Sequence, residues 1–498
     1  MFLLYSSAKL RAVVVCMLLL LSGLSVASAS QNEYFPFYEP DTTKLHRLAT
    51  AKRESLVRYL QVPEGVSADY KKSFASIVAR TATDSYERVR YTALLDTVIS
   101  PFVQEVFQEV LAANKELPPA NLVLTRSPVE NAYALADGTI FFNVGLLSKL
   151  QNEGQLAYII CHELAHIKLR HMERNITEIL DVMHGRYYKK QYKKLTREKY
   201  NKYAKMESFL EGLTLNSLYH KRSLETQADS LGLILYTNTR YSIADAFGTL
   251  QLLDKVDLPY SVQPVDINRY FGCAGYTYKP QQNGTTASVF NISAQQPDFA
   301  ENPDTLKTHP DCMKRLAYIR QLAGDKARAA KPESGYSQGM RHIADLAKRE
   351  VTQSWYDSGN YDYSLFNALL LLQGQPGSTY LRSMVQMSLA GLKRHMEQHR
   401  FGEMVAVASD YKPANLNDFL NFLNSLNTSD FKSIGNCLNS ALAGAEAVPA
   451  NKEYGLMAKY AQAILLDKEQ EADRLRNIYL EEYKEGRFGP LLLWEGIN

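Results

Sequence analysis

Apolar residues at helical spacing recur through most of this 498-residue chain. In one segment they stand at Leu156, Ile160, Leu164 and Ile167. Steps of three and four residues predict a buried helical stripe. Just before it, Asn152 and Gln155 match the cap-plus-three pattern that satisfies the first free amides of a helix. The pattern therefore predicts a capped, packed helix with one polar face.

Similar periodicity predicts helices on both sides of this segment. Residues 41–116 read as two or three helices that complete an α-dominated domain. Around residues 324–339, Lys, Ala, Pro, Ser and Gly replace the periodic pattern, which predicts a linker. Apolar runs resume from residue 340 and recur to the end of the chain. We therefore predict a mainly α (α+β) fold, with a first domain over 30–323 and a helical domain over 340–498.

The helical domain has two interpretations. Its apolar runs lie at 365–372, 384–392, 419–426 and 460–466. Helix pairs of this size stack in tetratricopeptide-like repeats, but no clean period supports repeats over a compact helical domain. Both interpretations predict a surface that docks a client or a partner.

A short β-rich segment lies between Gly138 and Gly145. We predict that it is an edge strand whose free amides and carbonyls pair with an extended peptide. The predicted substrate-binding residues are Thr139, Ile140, Phe141, Phe142 and Asn143. The alternative is an ordinary hairpin strand.

The first residues read as a secretory signal. Lys9 and Arg11 precede a short apolar run, and the small residues up to Ala29 fit a cleavage site. We expect cleavage after Ala29, so that 1–29 is a signal peptide and the mature chain is periplasmic or secreted. No other stretch approaches the roughly 20 apolar residues of a membrane span.

Charge and cysteine content add two expectations. The formal net charge of +3 is too small to predict a nucleic-acid partner. Lysines and arginines are concentrated at 186–205 with interleaved tyrosines, which suits either an anionic membrane surface or a solvated helix. Outside the signal segment, the cysteines are Cys161, Cys273, Cys312 and Cys437. They allow three pairings, of which we expect Cys273 with Cys312, whereas Cys161 is predicted to be a small core residue.

The candidate chemistry lies on the capped helix, in His162-Glu163-Leu164-Ala165-His166. On a helix, His162 and His166 lie one turn apart on one face, so both can bind a single zinc ion. Glu163 is rotated from His162 by about 100°, which places it beside the open position of the metal. This is the position of a general base.

A third ligand is predicted in the segment Leu224-Glu225-Thr226-Gln227-Ala228-Asp229. Glu225 and Asp229 are four residues apart, so both carboxylates lie on one helical face and repel unless a cation or a donor lies between them. We predict Glu225 as the third zinc ligand and Asp229 as the acceptor that orients a ligating histidine. The alternative is a solvated acidic face.

These residues resemble the gluzincin metallopeptidases that include HtpX, the Oma proteases, the CAAX prenyl proteases and the periplasmic BepA-like enzymes. The resemblance is carried by HELAH at 162–166, by Glu225 with Asp229, by residues 131–147, and by His309-Pro310 followed by Arg315. His171 also resembles a histidine that often follows the motif in that family. The predicted signal peptide favours the periplasmic branch of the resemblance.

His309 follows a long polar stretch at 259–308 that is typical of a functional loop or lid. It has two candidate roles. His309 either donates a hydrogen bond to the oxyanion or binds zinc as a fourth ligand that keeps the enzyme latent. By resemblance, Arg315 braces this loop against the active-site helix; the alternative is a surface arginine.

The sequence therefore predicts a periplasmic zinc metalloendopeptidase with one Zn2+ per chain. The resemblance implies unfolded or misfolded envelope proteins as substrates, and a partner in envelope-protein assembly that docks on the C-terminal helices. The competing hypothesis is a latent, zinc-stabilised chaperone or assembly factor that binds its clients through 340–498. The intact Glu163 favours the enzyme.

Overall fold

The computed structural model describes residues 33–197, 222–256, 264–279, 312–328, 334–409, 412–442 and 451–495. Helices make up most of these ranges, and a three-stranded sheet lies in the first half of the chain. The predicted mainly α fold with a helical C-terminal region is therefore confirmed.

The first half contains most of the elements around the candidate site. Its helices and strands are α1 (Thr42–Tyr59), α2 (Ala68–Thr92), α3 (Ile99–Ala113), β1 (Asn121–Thr125), β2 (Ala132–Ala134), β3 (Thr139–Asn143), α4 (Val144–Leu147), α5 (Glu153–Lys168), α6 (His171–His184) and α7 (Arg186–Arg197). The described part of the next helix, α8, covers 222–237. It is followed by α9 (Ile243–Val256), α10 (Ile267–Phe271), α11 (Cys312–Ala323) and α12 (Asp325–Arg328).

The C-terminal region is helical in all its described segments. Its helices are α13 (Gln338–Asp357), α14 (Tyr361–Gly374), α15 (Thr379–Glu397), α16 (Phe401–Met404), α17 (Ala414–Asn424), α18 (Thr428–Leu442), α19 (Lys452–Leu465), α20 (Glu469–Glu482) and α21 (Gly489–Glu495). None of the helices in the described ranges combines the length and the apolar character needed to span a bilayer.

Helix α5 begins as the sequence predicts. The side chain of Asn152 accepts a hydrogen bond of 2.9 Å from the amide of Gln155. The predicted polar face does not meet bulk solvent, because α5 is buried on nearly its whole circumference. Neighbouring elements cover it on several sides, so its polar residues face a buried site and not bulk water.

The predicted edge strand is wrong. The strand order is β1-β3-β2, so Thr139–Asn143 is the central strand, parallel to β1 and antiparallel to β2. All five of its residues are buried. A strand that is buried on both faces has a nearly continuous run of apolar residues in its sequence. The segment Ile140-Phe141-Phe142 has this character, and β2 forms the edge in its place.

Three apolar cores hold the fold together. The α1–α2 hairpin packs on one face of the sheet through Phe141. The opposite face, through Ile140 and Phe142, belongs to a second core that includes α5. The third core joins the C-terminal helices. Helix α13 contributes Met340 to the second core and Tyr356 to the third, so it joins the two.

The predicted disulfide is wrong, because Cys273 pairs with Cys437. Cys273 follows α10, which packs on the C-terminal region through stacking of Phe271 on Phe422. Cys312 lies in the second core instead, at the start of α11. Cys161 is buried with a free thiol, in agreement with its predicted place in the core.

Several predictions fall outside the described residues. These are the signal peptide at 1–29, His309, the part of the basic segment at 198–205 and most of the polar stretch at 259–308. The predicted linker at 324–339 is described except for 329–333. The domain boundaries remain predictions.

Candidate metal and catalytic site

Helix α5 fixes the position of the HELAH residues because its first turn is anchored. The Asn152 side chain, besides capping the helix, donates to Asp245 Oδ1 at 3.3 Å and to the carbonyl of Gly335 at 3.2 Å. The neighbouring Gln155 side chain accepts from the amide of Gln151 at 2.9 Å. These bonds hold the start of α5 against α9 and the segment before α13.

Three potential ligand atoms converge at one point. His162 Nε2 lies 3.1 Å from His166 Nε2 and 3.4 Å from Glu225 Oε2. His166 Nε2 lies 3.6 Å from Glu225 Oε1. Ligands about 2.0–2.1 Å from a tetrahedral zinc ion are roughly 3.3 Å apart, so the three distances match the edges of such a site. The predicted set His162, His166 and Glu225 therefore has the spacing that zinc requires.

The outer nitrogen of each histidine also has a neighbour. His162 Nδ1 lies 3.1 Å from Asp229 Oδ1, and His166 Nδ1 lies 2.9 Å from His171 Nδ1. A proton on Nδ1 of His162 and of His166 leaves both Nε2 lone pairs directed at the point of convergence. Neighbours of this kind fix the tautomer and the ring orientation of metal-binding histidines.

Arg315 fastens the acidic helix α8 to α11. Its Nε and Nη2 donate to the two oxygens of Asp229 at 2.7 and 2.8 Å. Its Nη1 lies 3.2 Å from Glu225 Oε2. Arg315 is buried, so it is not the surface arginine of the alternative interpretation. One guanidinium therefore positions both carboxylates that face the histidines.

Two backbone features bring the side chains together. Gly232 faces α5, where a Cβ atom would lie 3.1 Å from the Cα of His162, so a side chain there would push α8 away. Arg170 has a φ of 56°, in the left-handed region, and reverses the chain between α5 and α6. This reversal returns His171 to His166 within five residues.

The buried carboxylates alter the pKa values of both histidines in the protein without metal. Burial alone lowers the pKa of His162, but the hydrogen bonds and charges of Asp229 and Glu225 outweigh it and raise this pKa to about 10. Burial, together with the charge on His162, lowers the pKa of His166 to about 3. The site therefore attracts a positive charge, which a metal ion supplies when it replaces the proton.

Glu163 lies on the same cleft. Burial raises the pKa of its carboxyl group to about 8, and its carboxylate accepts a hydrogen bond from the amide of Ala134 in the edge strand β2. The cleft has a volume of about 280 Å³. It is lined by residues 131–136, by His162, Glu163 and His166, by the start of α6 and by Glu225. An open space therefore adjoins both Glu163 and the convergent ligand atoms.

The structure brings together most of the predicted site residues. His162, Glu163, His166 and Glu225 line the cleft, and Asp229 and Arg315 lie directly behind them. The predicted substrate-binding residues of β3 do not line the cleft. Residues of β2 line it instead. His309 lies outside the described residues.

Sequence reasoning assigned no role to two contributors. Gly232 could have been found from its spacing, since it follows Asp229 by three residues and shares its helical face. His171 was noted only by resemblance, and its contact with His166 depends on the chain reversal at Arg170, which the local sequence does not signal.

Residues 100–323 match the sequence pattern described as peptidase family M48. This part of the chain is similar to that family. The matched region, called the M48 domain below, contains α3, the sheet and the convergent site residues. His162, His166 and Glu225 within it could together hold a metal ion.

Two curated relatives are similar to parts of this chain. Human mitochondrial metalloendopeptidase OMA1 is 27% identical over 141 residues, which is 27% of this chain and 27% of that protein. The putative beta-barrel assembly-enhancing protease of Vibrio cholerae is 28% identical over 99 residues, which is 19% of this chain and 20% of that protein. The chain thus aligns with between a fifth and just over a quarter of the length of these relatives.

Proposed function

We propose that this chain is a zinc metalloendopeptidase that hydrolyses peptide bonds of unfolded or misfolded envelope proteins. The single observation that carries the proposal is the convergence of His162 Nε2, His166 Nε2 and Glu225, spaced 3.1 to 3.6 Å apart beside Glu163. Two nitrogens and a carboxylate with a further open position are the ligand set of catalytic zinc sites. The match of residues 100–323 to peptidase family M48 supports the same activity.

These three residues would hold the zinc ion, which would supply Lewis-acid chemistry at the scissile carbonyl and at water. Glu163 takes the proton from the attacking water and later gives it to the leaving amine. A buried carboxyl group with a raised pKa suits both transfers, since its proton affinity lies near neutral pH. Asp229 and His171 keep the two imidazoles in the orientation that leaves each Nε2 free.

The edge strand β2 is the proposed substrate platform. Beside β3, the Asn143 amide donates to the Asn131 carbonyl and the Leu135 amide donates to the Thr139 carbonyl. Because backbone groups alternate along an antiparallel strand, those of Ala132 and Ala134 point away from β3. The Ala134 amide donates to Glu163, which leaves the Ala132 amide, the Ala132 carbonyl and the Ala134 carbonyl to pair with an extended peptide by strand addition.

Peptides carrying N-methyl groups test this platform. Methylation of every second substrate amide on the paired side should abolish cleavage, whereas methylation of the intervening amides should be tolerated. Equal effects at all positions would rule out pairing with β2.

The proposed cellular setting rests on the sequence and on the name of one relative. We propose a periplasmic location after removal of residues 1–29, contact with an envelope-assembly partner through the C-terminal helices, and a peripheral contact of 186–205 with anionic lipid. The name of the Vibrio cholerae relative refers to β-barrel assembly, which supports the choice of envelope clients.

The decisive experiment compares the mature chain from Ser30 with its Glu163→Gln variant at equal zinc loading. We expect both proteins to bind about one zinc per chain, as three protein ligands predict, and only the native chain to cleave casein. Near-normal cleavage by Glu163→Gln would remove the general base from the mechanism. Zinc binding without cleavage by either protein would favour the chaperone hypothesis.

The latency hypothesis has its own test. A His309→Ala variant should be more active if His309 is an inhibitory fourth ligand, and less active if it stabilises the oxyanion. Unchanged activity would eliminate both roles. Zinc content measured on the same samples shows whether the substitution acts through metal loading.

A further inference from the structure

Three exposed apolar residues form a stripe along helix α6. Ile179, Val182 and Met183 have exposed fractions of 39, 41 and 42%. Val182 and Met183 lie three and four residues after Ile179, so they occupy the next turn on the same side of the helix. The adjacent side of α6, through Ile176 and Leu180, is buried against the α1–α2 hairpin. We call Ile179, Val182 and Met183 the α6 stripe.

The α6 stripe continues the lining of the catalytic cleft. Met172 and Asn175, in the first turns of the same helix, line that cleft. The steps from Met172 to Asn175, from Asn175 to Ile179, and from Ile179 to the stripe's last residues are three or four positions each, so all lie on one helical side. Met172 also accepts a hydrogen bond through Sδ from the amide of Ala136, at 3.2 Å. The helix side that begins beside β2 therefore runs outward from the cleft without changing face.

A cationic helix follows the end of the stripe. Helix α7 begins two residues after α6 ends, and its sequence RYYKKQYKKLTR contains no acidic residue. The Lys189, Lys190 and Lys194 side chains are exposed. A polymer that leaves the cleft along α6 thus passes first over apolar side chains and then approaches positive charge.

We infer that α6 and α7 form an extended substrate-binding track for an unfolded polypeptide in which an apolar stretch next to the cleaved bond is followed by acidic residues. The inference rests on the proposed peptidase function and names its substrate class. Exposed apolar side chains that continue a binding cleft mark an interaction surface, and clustered cations select acidic partners. Continuity with the cleft favours a polypeptide as the occupant of the α6 stripe and the α7 surface beside it, and the anionic-lipid contact proposed above for 186–205 is the competing occupant that the test distinguishes.

The track sets a minimum length for its substrates. From Met172 to Met183, α6 rises by about 16 Å at roughly 1.5 Å per residue. An extended peptide covers this distance with about five residues. A short peptide that fills the cleft alone should therefore be insensitive to the stripe, whereas a longer one should depend on it.

The test uses three quenched-fluorescence peptides that share one cleavable core of about eight residues. The first is the core alone. The second extends the core on both sides with alternating Leu and Ser and then with Glu, and the third ends with Lys in place of Glu. The variants are Ile179→Ser/Val182→Ser/Met183→Ser and, as a matched control, Leu322→Ser on α11, whose side chain is 46% exposed.

We expect the native enzyme to show a KM about tenfold lower for the acidic extended peptide than for the core, with the lysine-tailed peptide intermediate. The triple variant should lose this gain and keep the native kcat/KM on the core, which also reports that it is folded. The Leu322→Ser control should behave as native. A triple variant with the native KM for the acidic extended peptide would overturn the track while leaving the peptidase function intact.

Two further outcomes are decided by binding measurements. If the native enzyme cleaves no peptide, the proposed function fails, and fluorescence anisotropy of the acidic extended peptide on the same proteins decides the track alone. Weaker binding by the triple variant supports it, and equal binding rejects it. If the triple variant binds the peptide normally but no longer sediments with phosphatidylglycerol vesicles, the surface is a membrane contact and the inference is wrong.

Discussion

Two clusters of buried charge in this protein differ in how their donors and acceptors are matched. One is the convergent group His162, His166 and Glu225 in the M48 domain. The other surrounds Glu350 on α13, where the N-terminal segment 33–41 crosses onto the C-terminal helices. Both are removed from water, so burial alone does not distinguish a candidate reaction centre from a structural contact.

The Glu350 carboxylate faces two hydrogen-bond donors and a cation. Glu350 Oε1 accepts from the Tyr34 hydroxyl at 2.6 Å and from the amide of Phe37 at 2.9 Å. Its Oε2 lies 3.6 Å from Arg126 Nε, an ion-pair contact without a hydrogen bond. Arg487 adds a contact of 3.3 Å to Asp357 and donates to the Phe37 carbonyl. The buried carboxylate is therefore already balanced by the protein's own cation and needs no further one.

The M48 cluster has the opposite character. Two imidazole nitrogens and a carboxylate point at one another at distances of 3.1 to 3.6 Å, while their outer atoms are held by Asp229, His171 and Arg315. Acceptors that converge in this way lower one another's stability unless a cation lies between them. Acceptors that converge on one point and are oriented by neighbouring residues thus distinguish the candidate metal site.

The largest expected effect is that of Glu225→Gln. An amide supplies a weaker, neutral ligand and removes the charge that balances zinc, so zinc affinity should fall by more than about 100-fold and proteolysis should be lost. The free energy of unfolding of the metal-free protein should change little in comparison. Isothermal titration with zinc and urea denaturation measure the two quantities. Retention of native zinc affinity would exclude Glu225 as a ligand.

Glu350→Leu should have the opposite effect: it should lower the free energy of unfolding and leave zinc affinity unchanged. It leaves Arg126 buried without its carboxylate, which should lower the free energy of unfolding by about 3–5 kcal/mol. Glu350→Gln keeps an acceptor for Tyr34 and Phe37 and should cost less. Folded molecules of either variant should bind zinc normally. A stable Glu350→Leu protein, or one with weakened zinc binding, would contradict the division into a cluster that stabilises the fold and a cluster that binds metal.

Arg315→Lys should have an intermediate effect. A lysine cannot reproduce two parallel bonds to Asp229 together with the contact to Glu225, so the carboxylates lose their fixed orientation. Zinc affinity and kcat should fall by about 10–100-fold. Arg320→Lys, an exposed position on the same helix, is the control. Equal behaviour of the two variants would mean that Arg315 does not position the ligands.

The smallest expected effect concerns Asp362 in the C-terminal region. Burial raises the pKa of its carboxyl group, against the opposing hydrogen bonds from the amides of Ala406 and Tyr363. A raised carboxyl pKa contributes stability that is present below the ordinary Asp range and is lost as pH rises through the folded-state value. Asp362→Asn should therefore melt above the native protein at neutral pH, with the difference shrinking on acidification. A difference that grows on acidification would contradict this direction.

The geometry of single helices was predictable from the sequence. The two histidines of α5 and the carboxylates of α8 each share a face because their spacing is one turn, and the cap at Asn152 is local. The mutual approach of α5 and α8 was proposed from charge repulsion alone. Its observed basis also includes Gly232, whose absent side chain allows the two backbones to meet.

Long-range pairings were not predictable. Whether Thr139–Asn143 lies at an edge or in the centre depends on the parallel partner β1 and on the covering α1–α2 hairpin, neither of which is encoded within the segment. The continuous apolar run was the available signal and favoured the centre. Cysteine pairing likewise follows from the fold, since sequence alone leaves several connectivities open.

The Cys273–Cys437 disulfide has a consequence for how this protein must be handled in the laboratory. It closes a ring across a sequence separation of 164 residues, and α11 with Arg315 lies inside that ring. A single cut anywhere inside the ring leaves the two pieces covalently joined. Self-cleavage there would therefore be invisible on a gel run without reductant, and the two pieces would separate only when a thiol is added.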